Sequence, residues 1–143
     1  MASQVANNCK ELLSQKIIDF ANDTFKIILM EAGFAFSRAS HEVYADVSGY
    51  ELATLYGYTV GGATLAGVVI TNDSVLAACT IEWNNASWPV AGGNIEASGA
   101  IIYDSTVVAP DVSPIIGYID FGGSMITYNG GTFSIANIAV TIR

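Results

Sequence analysis

Four groupings of side chains in this sequence are of types that could do chemistry. The first is the one histidine, His41, followed by Glu42 and Asp46. An imidazole and two carboxylates in one loop could hold a divalent cation. The same three residues in a polar connection are ordinarily solvated, and zinc would need further Cys or His ligands at short spacing. The second is the acidic pair Glu82 and Glu96, which flanks Trp83 and Trp88. Two carboxylates beside aromatic rings are the equipment of a glycosidase, but two acids in turns of an acidic chain are mostly solvated charge. The third is the same tryptophans with Asn84, Asn85 and Asn94 as a platform for stacking a sugar. Against it stands the commoner use of Trp in a core or an interface. The fourth is the pair Cys9 and Cys79. Cys79 lies in an apolar run with no helix N-terminus to activate it, and both cysteines read as small buried side chains rather than a disulfide or metal pair. A serine triad would have only His41 as its base. The sequence therefore predicts no catalytic residue, no cofactor and no metal site.

The stretch 49–67, GYELATLYGYTVGGATLAG, has the glycine content of a phosphate-binding loop but not its other parts. Such a loop needs a Lys or a helix start directly behind it, and neither Lys nor Arg occurs between Arg38 and Arg143. Gly61-Gly62 permits a left-handed backbone, and Val68-Val69-Ile70 is a strand former. The stretch is predicted to be an ordered crossover that delivers the chain into a sheet.

These groups must be positioned by a body of unusual composition. Hydrophobic residues make up 52% of the 143, and charged residues only 13%, about half of what soluble domains carry. That shortage predicts a surface partly covered by other subunits, as in a homodimer or homotrimer. The net charge of −8 disfavours nucleic acid, whose binding relies on Lys and Arg, and disfavours an anionic membrane surface. No apolar run is long enough for a transmembrane helix. The first residues lack the basic and apolar regions of a secretory signal, which predicts a protein made in a cytoplasm.

Along the chain, residues 3–18 are predicted to form one amphipathic helix, with Val5, Cys9, Leu12, Leu13 and Ile17 on a single face. That face is expected to pack across the sheet or into a subunit contact. Residues 25–30 read as a central strand, apolar on both faces. Residues 31–48 read as a polar connection anchored by Phe34 and Phe36. Further strands are predicted at 68–71, 75–83, 97–103 and 115–121, the first two joined by a turn at Asn72-Asp73 and the last closed by Gly122-Gly123. Pro89 confines its surroundings to an edge or a loop. Residues 125–128 and 132–135 read as a hairpin around Asn129-Gly130-Gly131, and 138–142 as the last strand. Eight or nine short strands with regular turns predict a single mainly β domain, an antiparallel β-sandwich or jelly-roll-like barrel with one N-terminal α-helix.

Several segments then resemble, in order and spacing, a group of small structural proteins encoded by tailed bacteriophages. They are DTFKIILMEAGF at 23–34, DVSGYELATLYGYTVGGATLAG at 46–67, GAIIYDST at 99–106, PIIGYIDFGG at 114–123 and GGTFSI at 130–135. The resemblance implies a virion component made in the cytoplasm of a bacterial host, and it brings no catalytic residues with it. It implies a capsid decoration or cement protein on the capsid surface, with the major capsid protein and further copies of itself as partners. The alternatives are a tail, neck or head-fibre component and a carbohydrate-binding surface module. No internal repeat or coiled-coil heptad marks a long fibre. The expected interaction surface comprises Leu12, Leu13, Ile17, Tyr56, Tyr58, Trp83 and Trp88.

Overall fold

The computed structural model describes residues 2–143. The chain is mainly β; the described residues form ten strands in three antiparallel sheets and a short helix near the N-terminus. Strand β1 (Ala2–Val5) and helix α1 (Asn7–Ser14) open the chain, and β2 (Phe25–Met30) follows. A four-residue helix, α2 (Tyr44–Val47), leads into a long loop that ends in the two-residue strand β3 (Ala63–Thr64). Then come β4 (Val69–Asp73), β5 (Ala78–Trp83), β6 (Ala86–Pro89), β7 (Ile95–Asp104), β8 (Ile115–Thr127), β9 (Thr132–Ile135) and β10 (Ile138–Ile142). The large sheet runs β1-β8-β7-β2-β3, the second β10-β5-β4, and the third β6-β9. Their buried side chains meet in one continuous core in a sandwich-like arrangement.

The central strand is the one expected. β2 lies between β7 and β3, and Phe25, Ile27, Ile28, Leu29 and Met30 are all buried. A strand covered on both faces loses the polar alternation of a half-exposed one. Phe34 and Phe36 also behave as anchors: both pack on Tyr118, with ring centroids 5.6 and 5.4 Å away.

The N-terminal helix of sixteen residues does not form. Residues 2–5 pair with β8 instead, Val5 opposite Gly117 and Ser3 opposite Ile119. The helix then lasts two turns. Lys16 adopts φ 60°, its N–H bonds to the Leu13 carbonyl at 3.1 Å, and the Ile17 N–H bonds to the Leu12 carbonyl at 2.9 Å. These two bonds close a Schellman turn, with lysine in the position glycine normally takes. Cys9 and Leu12 face the intrachain core, so the helix packs on its own sheet, against β8.

Other boundaries move for local reasons. Asn72-Asp73 is not the turn but the end of β4, because the Asp73 carboxylate accepts the Val75 and Leu76 N–H groups at 3.0 Å and shifts the reversal two residues on. Gly122-Gly123 does not end a strand: β8 runs through it in a wide bulge, with Phe121–Ser124 opposite the single residue Ser98 of β7. The turn at Asn129-Gly130-Gly131 forms, but it does not make the expected hairpin, since β9 leaves it to pair with β6. Pro89 does lie in a two-stranded edge sheet.

β5 continues into β6, and β9 continues into β10, so that 78–89 and 132–142 form one long antiparallel ribbon broken at Asn84-Asn85 and Ala136-Asn137. The break shifts the alternation by one residue. In β5 the inward residues are Ile81 and Trp83; in β6 they are Ala86 and Trp88. The partner strand makes the same switch, from Phe133 and Ile135 to Ile138 and Val140. Asn137 makes its turn with φ 55°.

Candidate functional site

The frame shift in the ribbon decides the fate of the predicted surface. Trp83 and Trp88 are only 6% and 5% exposed. Trp83 packs on Phe20 and Phe25, with centroids 6.3 and 5.5 Å away, and Trp88 on Tyr58 and Phe133 at 5.8 and 6.3 Å. Both rings are almost wholly covered, which corrects their assignment to an exposed interaction surface, although the edge of Trp83 still lines an open pocket with Glu82, Asn84 and Asn85. Tyr58 is corrected likewise, at 2% exposure, and Leu12 belongs to the core. Leu13 and Ile17 are half-buried against that core. Of the seven residues, only Tyr56 is fully presented, at 42% exposure.

Tyr56 sits on a loop that is held firmly. Glu51 is its hub. The Glu51 carboxylate accepts hydrogen bonds from the hydroxyls of Tyr44 and Tyr58, the latter at 2.5 Å, and from the Gly61 N–H at 2.7 Å. The Tyr58 hydroxyl also accepts the Leu29 N–H at 3.1 Å, and Tyr103 donates to the Gly61 carbonyl at 2.9 Å. Burial, then the bond to Glu51, pushes the phenols of Tyr44 and Tyr58 well above the usual tyrosine range. They stay neutral and keep donating. The loop is also clamped by two glycines at positive φ. A Cβ on Gly57 would lie 2.0 Å from the Pro89 carbonyl oxygen, and one on Gly62 would lie 1.9 Å from that of Ile27. No side chain other than hydrogen fits these approaches.

Large exposed apolar residues lie at both ends of the ribbon, and others, among them Val69, Ile70, Val108 and Val112, lie elsewhere on the surface. At one end, the β4–β5 turn presents Val75, 91% exposed, and Leu76. Toward the other, Leu55 and Tyr56 and, separately, Met125, Ile126 and Tyr128 are exposed, the last at 66%. Backbone bonds tie this second end together: Ala91 N–H to the Tyr56 carbonyl at 3.1 Å, and Gly130 N–H to the Val90 carbonyl at 2.9 Å. The Asn129 side chain accepts the Gly92 N–H at 3.0 Å. Ala78 to Pro89 joins the two ends, at most about 36 Å of chain at about 3.3 Å per residue.

Of the groupings considered for chemistry, only Trp83, Asn84 and Asn85 come together, in an open pocket that Glu82 also lines; Trp88, Asn94 and Glu96 do not line it. Glu82 lies on β5 and Glu96 on β7, in different sheets, both exposed. The His41 Nδ1 accepts the Ser37 N–H at 3.0 Å, and the Asp46 carboxylate accepts the N–H groups of Glu42 and Val43 at 2.9 and 3.0 Å. These are turn and cap bonds. Among the described residues, no group of three or more His, Cys, Asp and Glu side chains converges as metal ligands would. Cys9 is buried and its thiol is pushed up to about 12, chiefly by burial. No helix among the described residues is long and apolar enough to cross a membrane.

One buried carboxylate escaped the sequence reading. Asp104, at the end of β7, is fully enclosed. Its Oδ1 accepts the Thr106 N–H at 2.9 Å, while its Oδ2 has no hydrogen-bond partner among the described residues. Burial first, and then the neighbouring Asp23 carboxylate, raise its pKa to about 7.

No protein family, curated protein or solved structure matches this chain.

Proposed function

We propose that this chain is a non-enzymatic structural protein of a tailed-phage virion, which cements the capsid shell by bridging neighbouring subunits of the major capsid protein. One observation supports the bridging most directly: exposed apolar side chains occupy both ends of one antiparallel ribbon, which a break divides into two paired halves. A cement protein must grip two subunits at once, and two separated apolar ends on a stiff body meet that need. Burying Val75, almost wholly exposed, contributes at most roughly 1.5–3 kcal/mol before ordering costs, and Leu76 and Tyr56, already about half buried, contribute less each. Such contacts are modest singly and add up over many lattice positions, and binding restricted to the assembled shell stabilises it by mass action. The virion setting rests on the ordered resemblance of segments to small phage structural proteins. The low charge content of the chain supports its acting as a homo-oligomer there. The burial of both tryptophans favours this reading over a glycan-binding module.

The test is to locate the chain in purified particles by labelled electron microscopy, and then to add it back to shells that lack it. Wild type should occupy the outer shell and prolong its survival on heating. Val75→Ser/Leu76→Ser and Tyr56→Ser/Tyr128→Ser should each fold, yet lose that protection. Absence of the chain from particles overturns the virion reading. One-ended variants that protect as well as wild type overturn the bridging.

A further inference from the structure

The chain has five Lys and Arg against thirteen Asp and Glu, and the fold concentrates the few cations it has. Lys10, Arg38 and Arg143 line one open groove of about 430 Å³, and among the described residues no Asp or Glu side chain lines it. These residues are far apart in sequence: Lys10 comes from α1, Arg38 from the loop after β2, and Arg143 follows β10. A single backbone bond, from the Asn7 N–H to the Arg38 carbonyl at 3.0 Å, fixes that loop beside the start of the helix.

The groove lies where two sheets end. Ser3, Gln4 and Val5 of β1 line one side, and Thr141 of β10 the other. β1 is the outermost strand of the large sheet and pairs only with β8; β10 is the outermost strand of the second sheet and pairs only with β5. The two strands lie close together without pairing with each other. In an antiparallel strand paired on one side, alternate N–H and C=O groups point away from the partner. Each strand therefore turns unpaired backbone groups outward, and an unpaired edge is a template for a further strand.

We infer that this groove is a docking site for an extended, acidic segment of a partner protein, added as a strand along β1 and held by its carboxylates on Lys10, Arg38 and Arg143. The charge pattern selects this occupant. A second copy docking edge to edge through the same groove would set cation against cation. A nucleic acid or an anionic membrane would meet three positive charges on a body whose net charge is −8, so repulsion would dominate beyond the groove. A short acidic strand has the reach and the charge to fill the groove without meeting the rest of the surface. The inference does not depend on where in a virion the chain acts.

The experiment uses the full chain and fluorescent ten-residue peptides with alternating Glu and Val. A Lys-for-Glu peptide, inorganic phosphate, a single-stranded RNA and vesicles of anionic lipid serve as competitors. The acidic peptide should bind, should weaken as salt rises, and should slow amide exchange at residues 3–5 and 140–142. Lys10→Gln with Arg38→Gln should cost about tenfold in affinity, near half a decade per cation. Lys26→Gln, a cation on β2 outside the groove, should cost nothing. Circular dichroism separates loss of binding from loss of fold. Three outcomes overturn the inference: no binding of the acidic peptide by a folded chain, equal loss from Lys26→Gln, or binding that leaves exchange at β1 unchanged. Preferential binding of RNA or vesicles overturns it as well.

Discussion

Asp104→Asn should stabilise this protein at neutral pH and flatten its pH dependence. Asp104 is fully buried, its Oδ2 lacks a hydrogen-bond partner among the described residues, and the Asp23 carboxylate stands beside it. The folded pKa is about 7 against an ordinary 3.8. The raised value means that the native state holds a proton which the unfolded chain has already released. Below about pH 4 both states are protonated and there is no penalty. Between about pH 4 and 7, stability falls as pH rises, by at most about 1.4 kcal/mol per unit for one proton. Above 7 the loss is complete. A shift of about three units corresponds to at most about 4 kcal/mol; relaxation of the surroundings when the carboxylate ionises reduces this to about 2–4. Asn carries no charge at any of these pH values and retains an oxygen for the Thr106 N–H. Urea midpoints measured from pH 4.5 to 8.5 at constant ionic strength would show it. With a slope of about 2 kcal/mol per molar urea, the variant should gain about 1–2 M in midpoint at pH 8 and at most about 0.5 M at pH 4.5. Asp19, whose pKa is lowered mainly by its bond from Asn22, acts in the opposite sense and only as pH falls below the ordinary carboxylate range. A wild-type midpoint that stays flat or rises between pH 5 and 8 would refute the reasoning, as would a variant that declines in parallel with wild type.

Two pairs of substitutions test the clamps and the helix. Gly62→Ala and Gly33→Ala share the left-handed cost of about 1–2 kcal/mol, since both glycines have positive φ, but only Gly62 has a carbonyl 1.9 Å from the added Cβ. Gly62→Ala should lose about 1–3 kcal/mol more in chemical denaturation, and equal losses would remove the clamp at β2. Leu12→Ala should cost about 2–5 kcal/mol because Leu12 is buried in the intrachain core, whereas half-buried Leu13→Ala should cost clearly less. Equal losses in the isolated chain would place the helix differently from the packing described.

The parts of the fold that were legible are those in which local pattern and tertiary role agree. β2 is apolar on both faces and is covered on both; β10 is short, apolar and ends where expected. The N-terminus was misread because Val5, Cys9 and Leu12 fit a helical stripe and are also all buried. Burial of Val5 comes from a strand, and nothing local to Ser3 and Gln4 announces that β8 will be there to pair with. The helix ends at Lys16, which takes a glycine's conformation with none of a glycine's signal. The tryptophans were misassigned for a related reason. The spacing from Trp83 to Trp88 would put them on opposite faces of a regular strand, and only the break at Asn84-Asn85 turns both inward.

The residues that face outward follow a different logic, which periodicity does not carry. Exposed Val75 and Tyr128 lie in turns, and the cations at 10, 38 and 143 meet only after the sheets are assembled. What the sequence did announce is the rigidity of the loop that carries Tyr56. Gly61 and Gly62 are readable as positions of positive φ, and they are; Gly57 is a third that the sequence does not announce. Glu51 adds to this by satisfying two phenols and one amide with a single carboxylate. Ordering a side chain on binding costs about 0.5–1.5 kcal/mol. A loop already clamped to β2 and β6 avoids part of that cost. An exposed tyrosine on a mobile loop would return little of its buried area as affinity. Held as Tyr56 is, the same ring keeps more of it, and that difference makes this end of the ribbon suited to a weak contact repeated many times.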